Sequence, residues 1–213
     1  ALANLIMGKV APSGRLPMTF PMGEGQIPFY YNYKMPSRMM AKSPKLINDI
    51  PVRAYQFSVG ETSYWLEYGN KPLYPFGYGL TYTTFEYGSV QLSDTILSIS
   101  GKPQSIIASC EITNTGHCDA VAVPQLYIRD VVGTLTRPLR ELKGFQRVNI
   151  PAGETRTVSF EISEQDLAYW HLAEGVTLGS DGEYAFSAEK GDFHVWIAPN
   201  ATEGQYIPFT LVE

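Results

Sequence analysis

Residues able to stack on a sugar ring and hydrogen-bond to its hydroxyls gather in the first third of this 213-residue chain: Tyr30, Tyr31, Arg38, Arg53, Tyr64 and Trp65. A tyrosine or tryptophan offers a flat apolar face and a polar tip, the combination a pyranose presents to its binder. Two readings of the stretch stand: a long surface belt, or the border of a binding site. Other chemistry is hard to assemble. The histidines, His117, His171 and His194, lie far apart without metal-ligand spacing and read as surface or strand residues. No glycine loop cradles a phosphate, and no nucleophile elbow or Cys/His pair is present. The acidic residues read as solvated groups at turns and strand exteriors. No catalytic residue, cofactor or metal is expected within the chain.

The six candidates sit between Met22 and Lys71, where neither a period of 2 nor one of 3.6 is sustained. A structureless connection of that length is uncommon unless it is functional or wraps another surface. Before it, Ala1 to Lys9 reads as the last two turns of a helix whose start precedes the sequence, with Gly8 near its end. Pro12 to Pro21 is a turn followed by a short extended segment that suits an edge or terminal strand. After it comes Pro72 to Phe85, in which Pro75, Gly77 and Gly79 punctuate a run carrying Tyr74, Phe76, Tyr78, Tyr82 and Phe85. So many rings on so contorted a backbone suggest a loop clamped between two bodies.

Beyond residue 85 the pattern becomes regular. Ile106, Ala108, Cys110 and Ile112 share one strand face, and Asn114-Thr115-Gly116 turns the chain. Val121 to Asp130, interrupted at Pro124, Leu142 to Ile150, and the alternation of Val158, Phe160 and Ile162 predict three further strands. Arg137 to Lys143 mixes signs and reads as a salt-bridged approach to a strand. Ser163-Glu164-Gln165-Asp166 resembles a helix N-cap, predicting one or two turns over Glu164 to Trp170. Tyr184, Phe186 and Ala188 with Phe193, Val195 and Ile197 predict a hairpin around Lys190-Gly191-Asp192, and Phe209-Thr210-Leu211 closes the chain. Short strands with turns every 8–12 residues or so indicate an antiparallel immunoglobulin-like sandwich.

Composition narrows the alternatives. A 44% hydrophobic and 13% aromatic content is that of a folding chain. A net charge of −5 and a pI near 5.3 give no footprint for nucleic acid. The longest apolar run falls short of the ~20 residues of a membrane helix. Cys110 and Cys118 are read as free thiols, with a bridge between them as the other choice. No signal peptide is recognised, and Asn200-Ala201-Thr202 fits a glycosylation sequon.

Several motifs carry a resemblance. Pro12 to Pro21, Gly25-Gln26-Ile27-Pro28, Tyr30-Tyr31-Asn32, Leu73 to Phe85, Asn114-Thr115-Gly116, Gln125-Leu126-Tyr127, Arg137-Pro138, Glu141 to Phe145, Pro151-Ala152-Gly153-Glu154 and Gly191-Asp192-Phe193 stand in the order they take in glycoside hydrolase family 3. The chain resembles the C-terminal third of a β-glucosidase of that family, nearest to the periplasmic bacterial type. The resemblance implies a mainly β fold: a fibronectin-III-like antiparallel β-sandwich (residues 85–213) preceded by a long linker (22–84) and a helix-plus-strand remnant of an α/β sandwich domain (1–21). It implies retaining hydrolysis of terminal β-D-glucosyl residues, with nucleophile and acid/base outside this chain and the fragment inactive alone. Its partners would be the catalytic barrel and α/β domains of the same enzyme and the oligosaccharide substrate, with a homodimer left open and neither nucleic acid nor membrane involved. A periplasmic or secreted location is expected, a cytoplasmic one being the alternative. The sequence departs from the family in Ser37 to Glu67 and in an insertion-like Glu174 to Glu183. The competing reading is a stand-alone immunoglobulin-like carbohydrate-binding or adhesion module.

Overall fold

The computed structural model describes residues 2–35, 39–40, 42–55, 62–101, 104–173 and 184–213. Its first element, α1 (Leu2–Ile6), ends where Gly8 takes a left-handed φ of +68°, as a helix C-terminus favours. None of its residues is buried, and Leu2, Ile6 and Met7 stand largely in solvent. The extended segment after it forms no strand of its own. Instead Leu16 and Phe20 exchange backbone hydrogen bonds with the 73–78 stretch, Leu16 N to Tyr78 O, Gly77 N to Leu16 O and Phe20 N to Tyr74 O, each 2.8 Å. Pro17 and Pro75 withhold the donors that a continuous ladder needs. The long belt holds two 3-10 turns, Glu24–Gln26 and Ile47–Asp49, and the parallel two-residue pair β1 (Met39–Met40) and β2 (Thr62–Ser63). Gln26, wholly buried, staples it: its Oε1 accepts from Met22 N at 2.7 Å while Nε2 donates to the carbonyls of Gly69 and Lys71.

The sandwich follows in order: β3 (Phe85–Tyr87), β4 (Gln91–Leu92), β5 (Ile96–Ser98), β6 (Ser105–Asn114), β7 (Ala120–Ala122), β8 (Gln125–Asp130), β9 (Glu141–Phe145), β10 (Val148–Ile150) and β11 (Thr155–Ser163). Then come α2 (Glu164–Leu167), β12 (Tyr169–Leu172), β13 (Tyr184–Ser187), β14 (Gly191–Ala198) and β15 (Ile207–Val212). One sheet orders β11-β6-β3, with β4 also on β6, and the other orders β5-β15-β14-β8-β9. Pairing is antiparallel within these sheets except β5 on β15, which runs parallel. The alternation in β6 decides where the core lies: Ile106, Ala108, Cys110 and Ile112 face inward, as their spacing predicts. They meet Leu126, Ile128, Val195 and Ile197 of the facing sheet, with Phe193 and Phe209 stacked 5.4 Å apart.

Four local expectations need correction. Val121 to Asp130 is two strands, because Pro124 ends β7 and the chain crosses from its pairing with β10 to β8 in the five-stranded sheet. Leu142 to Ile150 divides likewise into β9 and β10. The helix expected to reach Trp170 stops at Leu167, and Tyr169–Leu172 becomes a strand paired with β13. Its start is fixed as the sequence suggests, the Asp166 carboxylate accepting from the Ser163 backbone N–H at 2.8 Å and hydroxyl at 2.9 Å. The predicted hairpin is also replaced: β13 pairs with β12, and β14 lies between β15 and β8. Alternation gave the strands but carries no information on which neighbour satisfies their edges. Tyr184 and Phe186 face solvent, Phe186 beside Trp170. The Asn114 turn proves to be a buried fastening, its Nδ2 donating to Cys118 O and Ile150 O and its Oδ1 accepting from Thr83 Oγ1.

Candidate functional site

Strands β8 and β14 pair with Tyr127 opposite Trp196 and Arg129 opposite His194. These residues point away from the main core, so the five-stranded sheet has an outer face that is aromatic and basic. A sheet so decorated needs a cover, and the belt and the 72–85 junction supply it. Tyr31 stacks on Phe76 with centroids 4.0 Å apart and meets Tyr127 edge-on, forming a second apolar cluster with Trp196, Ala198, Ala201 and Leu142. Lys34 bridges to Pro138, and Leu139 N donates to Tyr33 O at 3.0 Å. Burial on both faces explains why β8 and the end of β14 are enclosed at nearly every position.

The junction is pinned by Gln125, which is 3% exposed. Its Nε2 donates to Gly77 O at 3.0 Å and Pro199 O at 2.7 Å, and Tyr127 OH donates to its Oε1 at 2.5 Å. Gly77 is required here, because φ is +79° and a Cβ would fall within 2.8 Å of the Gln125 Cδ. The junction's outer rings remain partly open, Tyr74 at 40% and Tyr82 at 52%.

Between cover and sheet lies a cavity of about 360 Å³, walled by the belt's Phe29, Tyr30, Tyr31 and Tyr33 and by Arg129, Arg140 and Trp196 of the sandwich, with Thr19 and Asn70 supplying polar atoms. A second cavity of about 330 Å³ adjoins it, sharing Phe29, Tyr30, Tyr33 and Asn70 and adding Lys34, Ser63, Tyr64 and Trp65. The Arg140 guanidinium lies over the Trp196 ring at 4.4 Å and donates to Glu203 O at 2.7 Å. Desolvation lowers its pKa to about 10, opposed by Tyr127 and Tyr33, so it stays cationic at neutral pH. Burial raises the Tyr33 phenol, and Arg140 moderates that rise. His194, stacked on Tyr206 at 3.8 Å, is held below its ordinary value by burial and by Arg129, and so is neutral near pH 7. Polar groups converging on a ring-lined hollow suit a small polar ligand with apolar faces.

Of the residues singled out in the sequence, Tyr30, Tyr31, Tyr64 and Trp65 come together around these two cavities. Arg53 stands exposed at a turn with φ +65° and borders neither. Arg38 lies outside the described residues. The sequence reading missed Tyr33, Thr19, Asn70, Arg129, Arg140 and Trp196. The near-continuous apolar run Val195 to Ala198 was the available signal, since such a run marks a strand covered on both sides.

Elsewhere the chemistry is structural. Arg137 pairs with Glu141 at 3.1 Å, and Lys143 with Glu141 at 3.4 Å, as the mixed-sign run suggests. Two acids depart from the expected solvated role. Asp130 is buried beside Arg137, and Glu189 accepts from Tyr169 OH and from both Thr134 Oγ1 and Thr134 N. Both cysteines are free thiols. Asn200, 2% exposed, uses Oδ1 to accept from Thr202 N, Thr202 Oγ1 and Glu203 N, so the sequon serves as a turn. Among the described residues no group of three or more His, Cys, Asp or Glu could hold a metal ion, and no helix is long and apolar enough to cross a membrane.

Residues 1–82 match the glycosyl hydrolase family 3 C-terminal domain, and residues 122–201 match the fibronectin type III-like domain. The chain is 35% identical over 212 residues to a periplasmic beta-glucosidase of Salmonella typhimurium, covering 100% of this chain and 24% of that protein. It is 38% identical over 182 residues to a putative beta-xylosidase of Formosa agariphila, covering 85% of this chain and 20% of the relative. Its fold superposes on the crystal structure of a beta-glucosidase from Listeria innocua in complex with glucose at a TM-score of 0.75 and 28% identity, covering 100% of this chain and 26% of that one. The chain thus spans about a quarter of the length of the relatives it matches. Both parts of the chain, in their order, place it in glycoside hydrolase family 3, of which it carries C-terminal sequence and the fibronectin type III-like domain.

Proposed function

We propose that the chain is the C-terminal portion of a retaining β-glucosidase that releases terminal β-D-glucosyl residues from oligosaccharides. The nucleophile and the acid/base then come from protein outside these residues, in the catalytic barrel and α/β domains that are its partners. The observation carrying this reading is the end-to-end match to a periplasmic beta-glucosidase about four times as long. That relative also supports a periplasmic or secreted location. Residues 1–21 belong on this view to the α/β domain, 22–84 to a linker, and 85–213 to the fibronectin-like sandwich. The unburied α1, with Leu2, Ile6 and Met7 in solvent, presents an apolar side suited to cover by the remaining domains. It also weighs against a self-sufficient adhesion module.

The linker residues Tyr30, Tyr31, Arg38, Arg53, Tyr64 and Trp65 are assigned to the neighbourhood of the substrate cleft, the geometry favouring Tyr30, Tyr31, Tyr64 and Trp65. Chain 1–213 alone should leave an aryl β-glucoside intact, whereas the protein joined to its upstream domains should hydrolyse it with retention. Turnover by the isolated chain, or none by the longer protein on any aryl β-glycoside, would refute the proposal.

A further inference from the structure

A cation withdrawn from water without a counter-charge is costly, and folded proteins either pair such groups or hold them for a ligand. Arg129 and Arg140 both line the 360 Å³ cavity, and among the described residues no aspartate or glutamate does. The neighbouring Arg137 has carboxylates at 3.1 and 3.9 Å, whereas neither cavity arginine is in an ion pair among the described residues. Arg140 commits Nη1 to the Glu203 carbonyl and its face to Trp196, leaving further guanidinium N–H groups without a partner among the described residues. Thr19 Oγ1, also at this cavity, is buried with no hydrogen-bond partner among the described residues. In a chain of net charge −5, an acid-free hollow with two arginines is selective for negative charge.

The surrounding rings narrow the ligand. A carboxylate matches the guanidinium fork, and a pyranose face matches the exposed ring of Tyr30. We infer that this cavity is a binding site for an acidic sugar, a hexuronic acid unit whose carboxylate is held by Arg129 and Arg140 and whose ring rests on the belt's tyrosines. The inference rests on the reading of the cleft as carbohydrate-facing and adds the charge of the sugar it takes. In the parent enzyme the acidic unit would be a distal residue of the oligosaccharide, not the neutral sugar released.

The test is calorimetric or NMR titration of chain 1–213 with sodium D-glucuronate, D-glucose and sodium acetate at low and high salt. Glucuronate should bind at least about tenfold more tightly than glucose or acetate, and more weakly at high salt. Arg129→Met and Arg140→Met should each lose about tenfold or more of that affinity. The Arg129 side chain makes no hydrogen bond among the described residues, so its variant decides the matter if Arg140→Met fails to fold. Glucose binding equal to glucuronate overturns the inference. So does acetate binding equal to glucuronate, which would assign the arginines to a carboxylate side chain from elsewhere in the protein. Absence of saturable glucuronate binding, or unchanged affinity in both variants, also overturns it. Hydrolysis by the longer protein is a separate readout, so failure here and failure of the β-glucosidase reading are distinguishable.

Discussion

Replacing Gly77 by alanine tests whether the junction is clamped onto the sandwich as described. Two costs combine. A φ of +79° is left-handed, which for an L-residue costs roughly 1–2 kcal/mol. The new Cβ would also stand on the Gln125 amide, within 2.8 Å of Cδ and 2.9 Å of Nε2. Gln125 cannot yield without releasing its bonds to Gly77 O, Pro199 O and Tyr127 OH, and an unsatisfied buried polar group costs about 1–3 kcal/mol. The sum is roughly 2–5 kcal/mol, or about a 10 °C fall in Tm for a chain of this size. Gly153 supplies the control: its φ is +77° but a Cβ there meets nothing within 4 Å. Gly153→Ala should therefore show only the backbone cost and lose about 3 °C. Differential scanning calorimetry of the two variants beside wild type measures the difference. Equal destabilisation would show that Gln125 moves freely, and the clamp would be discarded.

Other expectations are simpler. Burial alone would raise the Glu189 carboxyl, but the bonds from Thr134 and Tyr169 outweigh it and hold the group below its ordinary value of 4.5. Its stabilising contribution is then present above about pH 4.5 and is lost as pH falls through the depressed value, so Glu189→Gln should flatten the melting-temperature profile below about pH 4.5. A profile as steep in the variant as in wild type would remove Glu189 from that role. Ellman titration should label Cys118 well before Cys110, which is 2% exposed and whose thiol pKa is raised by burial; simultaneous labelling would contradict the packing of β6. Expression in a glycosylating secretory host should leave Asn200 unmodified by mass spectrometry, since its amide already donates to Glu203 Oε1 at 2.6 Å and is shielded. Stoichiometric glycan at Asn200 would show that this turn forms only after modification or not at all.

The sequence by itself determined the β6 core face, the β11 alternation, the Asn114 turn and the α2 start, because each is set by residues adjacent in the chain, whereas the choice between free thiols and a bridge was settled by the structure. The ordered motifs likewise carried the family. Only the tertiary structure decided strand partnership: Tyr184–Ser187 joined β12 instead of β14, since period-2 alternation orients side chains without naming a neighbour. It also decided the composition of the candidate site. Tyr30 and Tyr31 were legible as aromatic residues in an aperiodic stretch, but Arg129, Arg140 and Trp196 approach them from strands and loops about a hundred or more positions later. Their outward direction is meaningful only once the belt lies over the five-stranded sheet. Arg140 in particular is, in sequence, one more charge beside Arg137 and Glu141; folding separates them, giving Arg137 its carboxylates and turning Arg140 onto Trp196 inside the cavity.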